Sequence, residues 1–140
     1  MAMPDGNAAD AEGRTALMCA AFMGNVEMVE VLPGRGASID AQANRGTTAL
    51  IAASCGDHRE VVEVLVWKGA NMDLQDKDGG TALMAGSGQG HREVVEVLVG
   101  KGASIERQDK DGDTALLSAS NAGHREVVEV LLETGASIDM

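Results

Sequence analysis

The sequence repeats itself with a period of 33 residues, and four successive copies fill nearly the whole chain. One glycine column of this repeat contains Gly13, Gly46, Gly79 and Gly112. One leucine column contains Leu17, Leu50, Leu83 and Leu116, and the segment REVVEVL occurs at 59–65, 92–98 and 125–131. A fixed period of this length indicates one small structural unit stacked several times, because a single unit cannot bury its own apolar face.

The third copy, residues 76–108, shows how the first half of one unit is built. Residues 76–79 have the composition of a tight turn, and Thr81 after it is suited to cap a helix. Its hydroxyl can accept a hydrogen bond from a free N–H group of the first helical turn. The pattern therefore predicts a short helix from Ala82 to Gln89, ended by Gly90 in the left-handed conformation.

The second half of the unit is predicted to be another helix, from Arg92 to Lys101, followed by an extended connector. Its apolar residues recur at helical spacing and define one buried stripe, which consists of Val94, Val95, Leu98 and Val99. A turn, two helices and a connector, with D-x-x-G-x-T-x-L followed by G-H-x-E-V-V-x-x-L-L-x-x-G-A, resemble the ankyrin repeat. The resemblance implies an all-α solenoid of stacked helix-turn-helix units with short extended connectors. Its four repeats would occupy residues 10–42, 43–75, 76–108 and 109–140.

Several residues depart from the pattern of that family. The T-P-L-H tetrapeptide reads TALM, TALI, TALM and TALL in the four copies. Pro33 lies late in the second helix of repeat one and should shorten it, because proline has no N–H and clashes with the preceding turn. Asp57 replaces a helix-ending glycine and should adopt the left-handed conformation at some strain. Gly86 and Gly88 weaken the first helix of repeat three, so we expect repeats one and three to be the softer parts of the stack.

Composition limits the class of function. Residues 1–9 are small and polar, and we interpret them as a flexible tail. No stretch approaches the roughly 20 consecutive apolar residues of a membrane span, so we expect no membrane partner and a location in the cytoplasm or the nucleus. The net charge of −11 argues against binding nucleic acid, which requires a basic surface.

Residues that could carry chemistry have a simpler explanation. His58, His91 and His124 share one column, and stacking would separate them by about 10 Å, too far apart to share one metal ion. We expect each to bond to nearby backbone. Cys19 is predicted to be buried and Cys55 to face outward, and no nucleophile–base pattern is visible. The sequence therefore predicts no enzyme activity, no metal site and no cofactor. Methionines are expected to fill the core, among them Met18, Met28, Met72 and Met84.

The family resemblance implies protein binding through a concave face lined by turn tips and first helices. Transferring that pattern by position gives candidates in repeats one and two, namely Arg14, Phe22, Met23, Arg35, Asn44, Arg45, Thr47, Cys55 and Lys68. The candidates in repeats three and four are Lys77, Asp78, Gln89, Lys101, Lys110, Asp111, Asp113 and Asn121. Because interface anchors favour aromatics and arginine, we expect Phe22 and Met23, beside Arg14 and Arg35, to be the centre of the surface.

Three other interpretations stay open at this stage. The chain could be a structural spacer or a fragment of a longer array, or an engineered repeat without a natural partner.

Trp67 should be exposed away from the concave face and mark a second contact, unless its ring lies flat on its own repeat. Repeat four keeps its apolar stripe without a distinct cap, so we predict weak self-association through it.

Overall fold

The computed structural model describes residues 6–135, and this part of the chain forms eight α-helices in four successive pairs and one short 3-10 helix. The first helices of the pairs are α1 (Ala16–Met23), α3 (Ala49–Cys55), α5 (Ala82–Gln89) and α7 (Ala115–Ala122). The second helices are α2 (Val26–Val31), α4 (Arg59–Trp67), α6 (Arg92–Gly100) and α8 (Arg125–Glu133). The all-α solenoid of helix pairs that the resemblance implies is thereby confirmed.

The helices form two layers. Each first helix packs against the first helix of the next pair, and each second helix packs against the next second helix. The core lies between the layers, where apolar side chains are removed from water. Its largest fully buried side chains are Leu17, Leu50, Leu65, Leu83, Leu98, Leu131, Val29, Val61, Val62, Val94, Val95 and Val127.

Local signals in the sequence set the ends of the helices. In repeat three the Thr81 hydroxyl accepts a hydrogen bond from the Met84 N–H at 3.3 Å, as an N-cap should. Gly90 ends the helix at φ 78°, a conformation that glycine adopts without steric cost. The predicted bounds of α5 are confirmed, whereas α6 ends at Gly100, one residue before the predicted Lys101.

Two departures from the repeat pattern have the predicted local effect. The α-helix before Pro33 has six residues, and the chain continues as a 3-10 helix, Leu32–Arg35. Asp57 has φ 61°, the one positive φ of a non-glycine residue between residues 6 and 135. In the other repeats the same position is occupied by Gly24, Gly90 and Gly123.

Part of the segment predicted to be a flexible tail, residues 6–9, is described by the structure and contacts repeat one. Asn7 donates a hydrogen bond from Nδ2 to the Gly36 carbonyl at 3.0 Å. Its Oδ1 accepts one from the Ser38 N–H at 2.6 Å. These bonds hold the segment against the connector of repeat one, in the way that Asp40 and Asp73 hold the next two connectors. Residues 1–5 lie outside the described part of the chain.

Methionine side chains divide between core and surface. Met18 and Met84 are buried and Met72 packs against the core, as predicted. Met28 is wrongly predicted, because it is exposed on α2, the helix that Pro33 shortens. Met18 also accepts a hydrogen bond at its sulfur from the Thr15 N–H at 3.5 Å, so it contributes to capping α1.

Candidate functional site

The turn tips before the first helices are joined to one another by backbone hydrogen bonds. Asn44 N–H donates to the Glu12 carbonyl at 2.9 Å, and Lys77 N–H donates to the Arg45 carbonyl at 3.0 Å. The next tip repeats the arrangement. Because main-chain bonds fix the tips, the side chains on them project from a defined row and not from independent loops.

The three histidines hold neighbouring repeats together. Each Nε2–H donates to a carbonyl at the end of the first helix of the preceding repeat, which refines the prediction of a bond to nearby backbone. The three bonds are His58 to Phe22 at 2.8 Å, His91 to Cys55 at 2.9 Å and His124 to Gly88 at 3.1 Å. The ring of His58 also lies over Gly24, where an added Cβ would come within 2.5 Å of its Nδ1. Within the described part of the chain no His, Cys, Asp and Glu side chains are grouped to hold a metal ion.

A cleft of about 750 Å³ opens between the tips and first helices of repeats one and two. Its most exposed apolar side chains are Phe22 and Met23, 64% and 73% exposed at the end of α1. Cys19 also lines it and is exposed, so the prediction of a buried thiol is wrong. Six predicted residues line this cleft, which we call the tip cleft, namely Arg14, Phe22, Met23, Asn44, Arg45 and Thr47.

The two arginines of the tip cleft differ in their charge partners. Arg14 Nε lies 2.9 Å from Asp10 Oδ2 and 3.4 Å from Glu12 Oε2, and the bond to Asp10 raises the pKa of the guanidinium. The pKa of Asp10 is lowered mainly because its carboxylate accepts a hydrogen bond from the backbone N–H of Arg14. The Arg14 guanidinium lowers this pKa further. Arg45 forms no salt bridge with any residue from 6 to 135. Its charge adds to that of Lys110 in lowering the pKa of Asp78, and its guanidinium has no carboxylate of the described chain within salt-bridge distance at the rim.

A sequence model of the family "Ankyrin repeats (3 copies)" matches residues 2–76 and, in a second match, residues 49–140. Together the two matches span nearly the whole chain. The chain belongs to the ankyrin-repeat family. Ankyrin repeats are generally non-catalytic modules of protein–protein interaction. A search of curated proteins found no significant match.

The tips of repeats three and four carry a charge pair of this ankyrin domain. Lys110 Nζ donates to Asp78 Oδ1 at 2.8 Å, and this bond lowers the pKa of Asp78 and raises that of Lys110. Asp111 and Asp113 donate their N–H groups to Asp109 Oδ1, both at 2.9 Å. The Lys110–Asp78 bond thus neutralises part of the charge on these tips, between two neighbouring repeats.

The remaining candidates lie on two different sides of the ankyrin domain. Cys55, Gln89 and Asn121 are exposed on the first helices, on the same layer as the tip cleft. Lys68 and Lys101 line a separate groove with Trp67 between the second helices α4 and α6. Their assignment to the concave face is therefore wrong.

Arg35 is also wrongly placed beside Phe22. It belongs to the 3-10 helix after α2, at the repeat position that Lys68 and Lys101 occupy later, and it does not line the tip cleft. Trp67 is exposed as predicted, at 87%, which contradicts the alternative that its ring lies flat on its own repeat. No helix described between residues 6 and 135 combines the length and apolar character needed to cross a membrane.

Proposed function

We propose that this ankyrin domain is a non-catalytic scaffold that binds a protein partner through the tip cleft. The observation that carries the proposal is the pair Phe22 and Met23, two large apolar side chains that stay mostly exposed next to each other. Exposing apolar surface to water is unfavourable, and such residues at a cleft are typical of binding anchors. The hydrogen-bonded tips supply a fixed frame around them.

The charges at the cleft define the chemistry of the partner. Arg14 is engaged by Asp10 and Glu12, whereas Arg45 has no salt bridge in the described chain. A partner that inserts an apolar side chain against Phe22 and Met23 and places a carboxylate at Arg45 would complement both features. The rest of the tip row would steer the partner by local, salt-sensitive contacts.

A pull-down with three forms of the protein tests this proposal. The wild type is compared with a Phe22→Ser/Met23→Ser variant and with Trp67→Ser, which removes a comparable apolar surface from the second-helix side. Circular dichroism checks that all three are folded. We expect a protein held by the wild type and by Trp67→Ser to be lost by the Phe22→Ser/Met23→Ser variant.

A thiol-reactive photo-crosslinker attached to Cys19 then tests whether the captured protein binds at the tip cleft. A Cys55→Ser background leaves Cys19 as the single thiol, and this thiol is an exposed part of the cleft wall. Crosslinking of the captured protein supports the proposal. Equal capture by all three forms, or no capture at all, would instead favour the spacer or array-fragment interpretation.

A second candidate property is weak self-association through repeat four. Leu132 on α8 is 43% exposed, and Val128, one turn before it on the same side of the helix, is only partly buried. Contact between two such faces would remove this apolar surface from water. Light scattering over a concentration series should show a small rise in mass that Leu132→Glu abolishes. A strict monomer at high concentration would contradict this property and leave the tip cleft unaffected.

A further inference from the structure

Trp67 is the most exposed large apolar side chain on the described part of the chain, at 87%. It is the last residue of α4, on the layer of second helices and apart from the tip cleft. Its own repeat does not cover the ring, so the fold gains little from the indole. Tryptophan is the side chain most enriched at the centres of protein interfaces.

The neighbouring repeats place no side chain at the repeat position of Trp67. The same repeat position holds Gly34 in repeat one and Gly100 in repeat three, and both are exposed. A Cβ added at either glycine would meet no atom within 4 Å, so neither glycine is needed for close packing. A side chain from another molecule can therefore reach the faces of the ring without displacing part of the stack.

Two lysines share the groove with Trp67. Lys68 and Lys101 follow the ends of α4 and α6, are exposed, and line the same groove as the indole. Neither forms a salt bridge within residues 6–135. Arg35 continues their position into repeat one, so three cations without ion pairs follow one line in a chain of net charge −11.

Two of the three acidic residues of the groove are paired with arginines, and one of these arginines, Arg59, itself lines the groove. Glu63 lies 2.7 Å from Arg59 Nε, and Glu96 lies 3.2 Å from Arg92 Nε. Glu30 also lines the groove and has no salt bridge in the described chain. Lys68 and Lys101 are consequently the two groove cations that form no salt bridge among residues 6–135.

Helix ends alone do not explain this cluster. Cations near the C-terminus of a helix interact favourably with its dipole, which accounts for Lys68 and Lys101 separately. The dipole gives no reason for an exposed tryptophan between them. An apolar ring flanked by unpaired cations is, in contrast, the complement of a segment that carries both an apolar side chain and carboxylates.

We propose that the Trp67 groove is a second interaction surface, which binds an acidic segment of another protein. An aliphatic side chain of that segment packs on the indole, and its carboxylates pair with Lys68 and Lys101. This surface lies on the opposite layer from the tip cleft, so the proposal does not depend on the function of the cleft.

Trp67 itself supplies the signal for the test. The chain has one tryptophan and no tyrosine, so its intrinsic fluorescence reports on this groove. The probe is a short blocked peptide in which glutamate pairs alternate with leucine, and the control peptide has glutamine in place of glutamate. We expect a saturable blue shift with the glutamate peptide, weakened by added salt, and at least about tenfold weaker binding of the glutamine peptide.

Matched variants assign the signal to the groove. Lys68→Gln/Lys101→Gln should lower the affinity for the glutamate peptide about tenfold. The control variant Lys77→Gln/Arg107→Gln removes the same amount of charge outside the groove, from two cations that form no salt bridge in the described chain. This control and Phe22→Ser/Met23→Ser should both leave the affinity for the glutamate peptide unchanged.

Three results with the peptides would overturn the proposal. They are equal responses to the two peptides, equal losses in the two charge variants, and an emission that does not change with peptide. An emission that shifts with protein concentration alone would assign the groove to a second copy of the chain and also overturn it.

Discussion

At the scale of single residues, two buried hydroxyls lack a partner. Ser54 and Ser87 are fully buried, and neither Oγ has a hydrogen-bond partner among residues 6–135. Repeat one has Ala21 at this position, equally buried. Because a buried polar group without a partner is costly, Ser54→Ala and Ser87→Ala should each raise the free energy of unfolding by about 1 kcal/mol. Ser120 is the exposed residue at the same repeat position, so Ser120→Ala measures the gain in helix propensity alone. Urea titrations compare the free energy of unfolding of the three variants. An equal gain for Ser120→Ala would contradict a cost of the two buried hydroxyls.

The Asp78–Lys110 pair gives a second residue-scale prediction. Its carboxyl pKa lies below the ordinary value because Lys110 donates a hydrogen bond to the charged form. Lys110→Met should therefore raise the pKa of Asp78, and Lys77→Met should leave it nearly unchanged. A carbon-detected NMR titration of the side-chain carboxyl measures both. Because the pKa of Asp78 is lower in the folded than in the unfolded chain, the pair stabilises the fold at a pH above the unfolded-state pKa. This contribution is lost as the pH falls through the folded-state pKa.

At the scale of one element, the glycines of α5 should respond differently to alanine. A Cβ added at Gly88 meets no atom within 4 Å, so Gly88→Ala should stabilise the protein by about 0.5–1 kcal/mol through helix propensity. An added Cβ at Gly86 lies 3.2 Å from Val94 Cγ1, so part of the same gain is offset there. Thermal unfolding of the two variants measures the difference. A larger gain for Gly86→Ala than for Gly88→Ala would show that packing against α6 is looser than the structure indicates.

The elements also explain which predictions succeeded. Helix bounds in repeat three followed from a capping threonine, a terminal glycine and a valine stripe, all of which are local signals. The inward side of α1 could not be predicted, because its sequence ALMCAAFM is apolar throughout and gives no periodicity. Cys19 was therefore placed in the core, whereas it is exposed. Arg35, Lys68 and Lys101 were misplaced for a different reason. All three follow a second helix at one repeat position, away from the first helices that line the tip cleft, and the sequence pattern does not show on which side of the stack that helix end lies.

At the scale of the whole molecule, the helices between residues 6 and 135 make their main contacts within a repeat or between neighbouring repeats. Repeat one has the shortest second helix described, six residues, and meets repeat two through the two helix layers, the tips and the His58–Phe22 bond. In such an array a repeat can open without unfolding the others. We therefore expect amide hydrogen exchange to give a smaller free energy of opening for α1 and α2 than for α5 and α6.

Removing single inter-repeat bonds tests whether the repeats open separately. His58→Ala should lower the opening free energy of repeat one by about 1 kcal/mol and leave α7 and α8 nearly unchanged. His124→Ala removes the equivalent bond to Gly88 and should act on repeat four instead. Hydrogen exchange followed by NMR resolves the two ends of the stack in both variants. An equal loss of protection at every amide in both variants would instead show that the four repeats unfold as one cooperative unit. The tip cleft between repeats one and two would then be lost only when the whole chain unfolds.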